Sequence, residues 1–373
     1  MRSILTQILF LGLVGIGLYA AVSNGLANMA ARGIPTDFRF WNQPAGFDIN
    51  QHLIAYSAAS TYGRAFFVGL SNTTLVAVIG VVLATLLGFA IGFARTSANV
   101  VMAKLAMVYV EAIRNVPLLL QLLFWYNVVL TTLPVPRQAL ALPGGIYLTN
   151  RGLALPAPVF ASNFLYVLLA ALAGVCAALL FWRWAREKPI GRGSSLSIVL
   201  ILLVCVPSVA TYFAVGQPIG WVVPQLKGFN FRGGLRLLPE LVALVLGLVL
   251  YTAAFIAEIV RAGLAAMPKG QSEAALALGL SPVQTRRYVI VPQALRLIVP
   301  PLTSQYLNLV KNSSLAVFIG YPDLVQVFAG TVLNQTGAAV PVIMTTMAVY
   351  LAISLAMSLA MNIYNRHLMR VER

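Results

Sequence analysis

Apolar residues in this chain fall in long runs, with Lys, Arg, Pro and Gly gathered between them. A helix needs about 20 predominantly apolar residues to cross a bilayer. On that measure the pattern predicts eight spans, over residues 4–22, 66–94, 105–130, 159–182, 196–214, 240–260, 297–319 and 340–364. The first run is longer than most secretory-leader cores, which hold about 7–15 apolar residues. It is therefore expected to be a retained helix. Gly88 and Gly92 in the second span have the spacing of small residues that lets helices approach closely, and are read as packing only. Residues 23–65, 133–158 and 215–239 read as loops. The expected fold class is all-α, a polytopic membrane protein with about eight transmembrane helices.

Composition strengthens this picture. The 373 residues are 60% hydrophobic and 9% charged, whereas an average soluble domain carries about 25% charged residues. A net charge of +16 would point to nucleic acid in a soluble chain. Here the cations sit between apolar runs, so lipid is the expected surrounding and no nucleic-acid partner is expected. With eight spans both termini share one side. Lys and Arg are roughly twice as frequent on that side, including the dense group Arg183, Arg186, Lys188 and Arg192, which places both termini in the cytoplasm. Cys176 and Cys205 lie inside apolar runs, and His52 and His367 are far apart. No metal-ligand spacing results.

Two polar clusters interrupt the spans. Glu111, Arg114 and Asn115 fall in the third, with Gln121 and Pro117 nearby. Counting from Lys104 at about 1.5 Å per residue, Glu111 lies roughly 10 Å deep and Arg114 about 15 Å. Each charge at mid-membrane costs on the order of 3 kcal/mol. Two readings follow: a mutual salt bridge three residues apart that supports packing, or a polar face lining a path. The second cluster, Lys311, Asn312 and Ser313 with Ser314, lies about 22 Å beyond Arg296. Pro300 and Pro301 below it would let the helix bend and expose carbonyls. These residues too can line a path. Alternatively Lys311 snorkels outward and the hydroxyls bond their own backbone.

Residues 261–320 carry sharper local signals. Gln271 and Ser272 are expected to cap a helix at Glu273, and Gly279 to stop it in a left-handed conformation. Ser281-Pro282 predicts a second cap, with a helix running from Val283 until Pro292. Ala274, Ala275 and Ala277 would leave backbone exposed, as suits insertion into another protein's cleft.

Glu273-Ala274-Ala275, then Gly279, then Val289-Ile290-Val291-Pro292 resembles the EAA loop of ABC importer permeases, with Val at the two conserved apolar places. The segments Tyr109–Tyr126, Pro292–Leu315 and Gly69–Val78 are similar to polar amino-acid permeases of the histidine/glutamine type. The long chain and the Gly46–Ile49 segment look like the Q-type permease of general L-amino-acid importers. The resemblance implies an N-terminal helix and periplasmic loop over 1–65 and an importer transmembrane domain over 66–366. A two-helix insertion would occupy about 133–237, and a cytoplasmic tail 367–373.

The resemblance further implies a non-catalytic subunit of a bacterial inner-membrane importer. Glu273, Ala274, Ala275, Gly279, Leu280 and Pro282 would couple it to a cytoplasmic ABC ATPase dimer. Glu111, Arg114, Asn115, Lys311, Asn312 and Ser313 would line half of the path for an amino-acid substrate. A second permease subunit, paralogue or identical copy, would form the other half, and a periplasmic substrate-binding protein would deliver the amino acid. The chain has no GxxxxGK[ST] loop to cradle phosphates, so no cofactor is expected in it, and ATP and Mg would be bound by the partner ATPase. The rival reading is an ion-driven secondary transporter, which predicts inverted repeats that are not evident. An intramembrane enzyme would need paired catalytic carboxylates or a Ser-His arrangement, and neither is evident.

Overall fold

The computed structural model describes residues 2–186 and 194–370. Lys188 and Arg192 of the dense basic group, and the last three residues of the tail, lie outside the described residues. The chain divides into two compact units, Met1–Thr131 with Glu240–Arg373, and Thr132–Pro239.

In the first unit, α1 (Arg2–Ala31) is exposed over most of residues 6–31 and runs well past residue 22. Residues 34–61 follow, then α2 (Tyr62–Arg95), whose N-cap Thr61 accepts the Arg64 N–H. The segment before α2 is more than a loop. Phe40, Ala45, Ile49 and Tyr56 are buried against Tyr62, Phe66, Leu324 and Phe328, and Trp41 packs on Phe66. The residues Gly46–Ile49 thus lie within an aromatic plug over the start of α2.

Next come α3 (Val100–Arg114) and the short α4 (Leu118–Leu123), which continues as a π-helical stretch to Leu130. The third predicted span is therefore not straight. It breaks at 115–117 and turns by 103°. Pro117 supplies no N–H and sits at the N-cap of α4. The amide of Gln121 then holds the corner by donating to the carbonyls of Ile113 and Val116.

The second unit sets short strands beside its helices. It holds a helical pair, α5 (Phe164–Arg186) and α6 (Ser194–Ala214), which pack on one another where Gly174 meets the Leu203 backbone. Among its described residues it also holds eight short strands. β1 (Leu140–Leu142), β2 (Ile146–Thr149), β3 (Gly152–Leu155) and β8 (Leu235–Leu237) form one antiparallel sheet in that order. β4 (Ala157–Phe160) pairs with β5 (Ile219–Val222), and β6 (Gln225–Lys227) with β7 (Asn230–Arg232). The predicted fourth span began at 159, but Val159 and Phe160 belong to β4. These strands are three or four residues long, too short for a two-residue apolar period to stand out.

Back in the first unit, α7 (Pro239–Ala265) leads to α8 (Lys269–Ala277), α9 (Pro282–Thr285) and α10 (Val291–Asn312). A 3-10 stretch, Ser313–Ile319, and a π-helical stretch, Val325–Val332, run into α11 (Leu333–Thr336), and α12 (Ala339–Arg370) closes the chain. α2 and α7 meet closely. A Cβ at Gly88 would lie 2.6 Å from Ile256, and one at Gly92 2.6 Å from Val260. Hydrogen at these two positions is what allows Ala84, Ile256, Val260, Ile298 and Tyr306 to form one core.

Among the described residues five helices are long and apolar enough to cross a membrane, or six if the bent pair counts as one, not eight. The difference has a physical cause. α10 has the length, but Gln293, Arg296, Gln305, Asn308 and Lys311 make it too polar.

Candidate functional site

The 265–291 loop is built by local signals. Pro268 is the N-cap of α8, so the helix starts at Lys269, and Gln271 and Ser272 lie inside it rather than capping it. The fixed φ of proline suits an entry to a helix, and the Gln271 side chain accepts from Gln293 instead. The helix stops as expected. Gly279 is left-handed at φ +83°, the Leu280 N–H donates to the Ala275 carbonyl and the Gly279 N–H to Leu276. This is a Schellman closure, and a side chain at that φ would cost about 1–2 kcal/mol. Ser281 then opens α9 with a complete capping box, exchanging hydrogen bonds with Gln284, and Pro282 stands in the first turn.

Pro292 does not end this second helix. A π-helical turn, Arg286–Ile290, takes its place, with the Val291 N–H donating to Arg286, and α10 continues directly. The wider turn accommodates the missing N–H of Pro292. α8, α9 and α10 are consequently one connected lever.

Exposure on this lever divides its residues. Glu273 and Ala274 face outward, as do Gly279 and Pro282, and Leu280 is half-buried. Ala275 is buried and faces inward, contrary to the expectation that all three alanines leave backbone open. Two residues that the sequence reading did not single out stand out most. Leu278 is 83% exposed and Val283 76%. Leu278 precedes the glycine turn and Val283 follows it, and the signal available was two apolar residues flanking the cap.

Behind the loop, Thr96, Leu264, Ser272, Leu276, Thr285 and Arg286 border a cavity of about 370 Å³. Arg286 donates to Thr96 Oγ1 at 2.6 Å and lies over the Phe93 ring, so the lever touches the end of α2. A second tie lies at the same end. Glu258 of α7 accepts from Arg261 at 2.6 Å and pairs with Arg95 of α2. α2, α7 and the lever are fastened together by three arginines and one carboxylate.

The polar clusters in the spans are placed differently from a buried pair. Glu111, Arg114 and Asn115 are exposed at the C-terminal end of α3, where the chain breaks. No ion pair joins Glu111 to Arg114 among the described residues. The Arg114 guanidinium lies 5.0 Å from the centre of the Phe255 ring on α7, a cation–π contact. Its charge also complements the negative end of the α3 dipole. Of the two alternatives, the mutual salt bridge is therefore not formed among the described residues, because a ring and a helix terminus compete for the arginine.

Lys311 is exposed and Asn312 half-buried, but Ser313 is only 1% exposed. Ser313 Oγ donates to the Val310 carbonyl and Ser314 Oγ to Lys311. Both hydroxyls take the backbone-bonded alternative. α10 runs through Pro300 and Pro301 as one helix. α4 packs against the 313–319 turn, so the break after Arg114 and the end of α10 lie on neighbouring elements.

One buried polar group escaped the sequence reading altogether. Asp323, 1% exposed, caps the stretch that follows it by accepting the Gln326 N–H at 2.8 Å, and accepts from Tyr350 at 3.2 Å. Beside it Asn72 donates to Gln51 and Pro322, and Thr73 accepts the Leu324 N–H. Burial pushes the Asp323 carboxyl up to about 7, against the opposing pull of these donors. Among the described residues no group of His, Cys, Asp and Glu could hold a metal ion.

Residues 80–371 match the family described as "Binding-protein-dependent transport system inner membrane component". The chain is 50% identical over 99% of its length, and 94% of the relative's, to "Putative amino-acid ABC transporter permease protein YhdX" of Escherichia coli (strain K12). It is 46% identical to "General L-amino acid transport system permease protein AapQ" of Rhizobium johnstonii, across all of this chain and 93% of that one. It is 42% identical to "Glutamate/glutamine/aspartate/asparagine transport system permease protein BztB" of Rhodobacter capsulatus, across all of this chain and 95% of that one. With its helical spans, its EAA-type lever and its end-to-end relatives, the chain belongs to the family of binding-protein-dependent inner-membrane components, and is an ABC-importer permease of the polar amino-acid, Q-type branch.

Proposed function

We propose that this chain forms half of the path by which L-amino acids enter the cell, driven by a separate cytoplasmic ABC ATPase dimer. The observation that carries the reading is the outward tip of the 269–285 lever. Leu278 and Val283 stand almost wholly exposed there, beside Glu273, Ala274, Gly279 and Pro282. Apolar side chains held out on a capped helix favour a cleft in another protein over water. Glu273, Ala274, Gly279, Leu280 and Pro282 present the loop, while Ala275 anchors it from within. Closure of the ATPases on ATP would push α8, and the continuous α9–α10 connection would pass the displacement to the end of α10.

The substrate class is proposed from what the relatives are named for, L-amino acids. A zwitterion needs both signs of charge along its route; Glu111, Arg114 and Lys311 supply them on exposed faces, with Asn115 exposed and Asn312 half-buried beside them. Ser313 would join them only after its surroundings open. A second permease subunit, identical or paralogous, would complete the path, and a periplasmic binding protein would deliver the substrate to the side opposite α8. The excess of Lys and Arg on the α8 side supports a cytoplasmic location for it and for both termini.

Purification of the tagged chain from membranes tests the coupling. The native protein is expected to bring down an ABC ATPase, and Leu278→Asp to lose most of it while the chain remains folded in detergent. Recovery of the ATPase in equal amount with Leu278→Asp would remove the lever from this role.

A further inference from the structure

At the membrane edge the chain turns from α2 into α3 through Thr96–Asn99. A cavity of about 440 Å³ opens at this corner, lined by Arg95, Ser97, Lys104 and Arg261 together with the apolar Val100 and Met107. Its charge is unbalanced. Arg95 and Arg261 share the single carboxylate of Glu258, which leaves one full positive charge. Lys104 adds a second and has no ion-pair partner among the described residues. The first turn of α3 starts at Val100 on the cavity wall, so the positive end of that helix adds to the field. Among the described residues nothing acidic lines the cavity to offset it.

The place of the cavity narrows what can balance it. α2 is apolar over most of its 34 residues and Arg95 is its last, which sets Arg95 at headgroup level. Val100 and Met107 lie exposed on one side of the concavity, where an acyl chain can rest. Basic pockets between spans suit lipid phosphates, because guanidinium and ammonium groups match phosphate oxygens. We propose that this cavity binds the phosphodiester headgroup of an anionic phospholipid in the leaflet where α2 ends. Arg95, Lys104 and Arg261 hold the phosphate, and one acyl chain lies along Val100 and Met107. Bound there, the lipid supports the Arg95–Glu258–Arg261 tie between α2 and α7. The inference rests on the corner's position at the membrane edge and not on the direction of transport.

The full-length protein, with whatever subunits copurify, is to be unfolded thermally in neutral detergent while phosphatidylglycerol, phosphatidylcholine or inorganic phosphate is titrated. Phosphatidylglycerol is expected to raise the midpoint, and phosphatidylcholine and inorganic phosphate to leave it unmoved at the same concentrations. Lys104→Gln should raise the phosphatidylglycerol concentration needed for half the shift by about fivefold. Lys104→Arg should retain it, and Lys227→Gln, an equal loss of charge on an exposed strand, should leave it unchanged. The lipid-free midpoint of Lys104→Gln should match that of the native protein. Equal responses to the two lipids, equal effects of Lys104→Gln and Lys227→Gln, or a full shift from inorganic phosphate alone would each overturn the assignment.

Discussion

Asp323 is a carboxyl with almost no access to water, held by a backbone N–H and a tyrosine hydroxyl. Its carboxyl is raised from an ordinary 3.8 to about 7, chiefly by burial. The folded protein therefore binds this proton more tightly than the unfolded chain. Stability from this group is fully present below about pH 4 and is lost as pH rises through 7. Asp323→Asn keeps an acceptor for the Gln326 N–H and removes the titration. The variant is expected to flatten the dependence of the unfolding midpoint on pH between about 5 and 8, measured in detergent, and to gain most at the alkaline end. An unchanged slope would show that Asp323 titrates normally. Nothing in the sequence marked this residue, since a lone Asp after Gly-Tyr-Pro reads as a turn. Its burial depends on Asn72, Thr73 and Tyr350, remote in sequence and brought in only by the packing of α2 and α12. Glu111 and Arg114 teach the converse. Their spacing made a salt bridge plausible, but spacing cannot see the Phe255 ring on α7 that takes the guanidinium.

At the scale of elements, the features decided within a few residues were legible and those decided by neighbours were not. The left-handed Gly279 and the Ser281 cap followed from side-chain chemistry inside one turn. The start of α8 was misplaced because Pro268 caps it sterically, without a side-chain hydrogen bond. The break after Arg114 was hidden because hydropathy is blind to direction, and Gln121, which holds the corner, resembled a polar blemish in a span. The Gly88 and Gly92 spacing was legible as packing, though its partner α7 was not. Gly92→Leu would place carbon atoms where Val260 and the Ala257 carbonyl now lie. The expected cost is about 1–3 kcal/mol, read as a lowered unfolding midpoint. Gly12→Leu on α1, where nothing lies within 4 Å, should change little. Equal effects at the two positions would argue against the α2–α7 contact. For the path, Arg114→Ala and Lys311→Ala should each cut amino-acid uptake several-fold while assembly with partner subunits is retained. Native uptake by both variants would remove these residues from the path.

For the molecule as a whole, the long apolar helices and the lever were visible because each is written in contiguous residues. The strand-bearing unit was not, since its strands are short and its sheet joins β3 to β8 across α5 and α6. The lever, the ties from Arg286 and Glu258 to the span ends, and the exposed polar groups beside the break support one proposed account, in which force would enter at α8 and the substrate would pass near α3 and α10. That account requires ATP and no ion gradient. The most direct measurement is amino-acid uptake by proteoliposomes carrying the purified complex with its binding protein. Uptake should persist when ionophores collapse all ion gradients and cease when a non-hydrolysable nucleotide replaces ATP. Uptake that continues without hydrolysis and stops with the ionophores would contradict it.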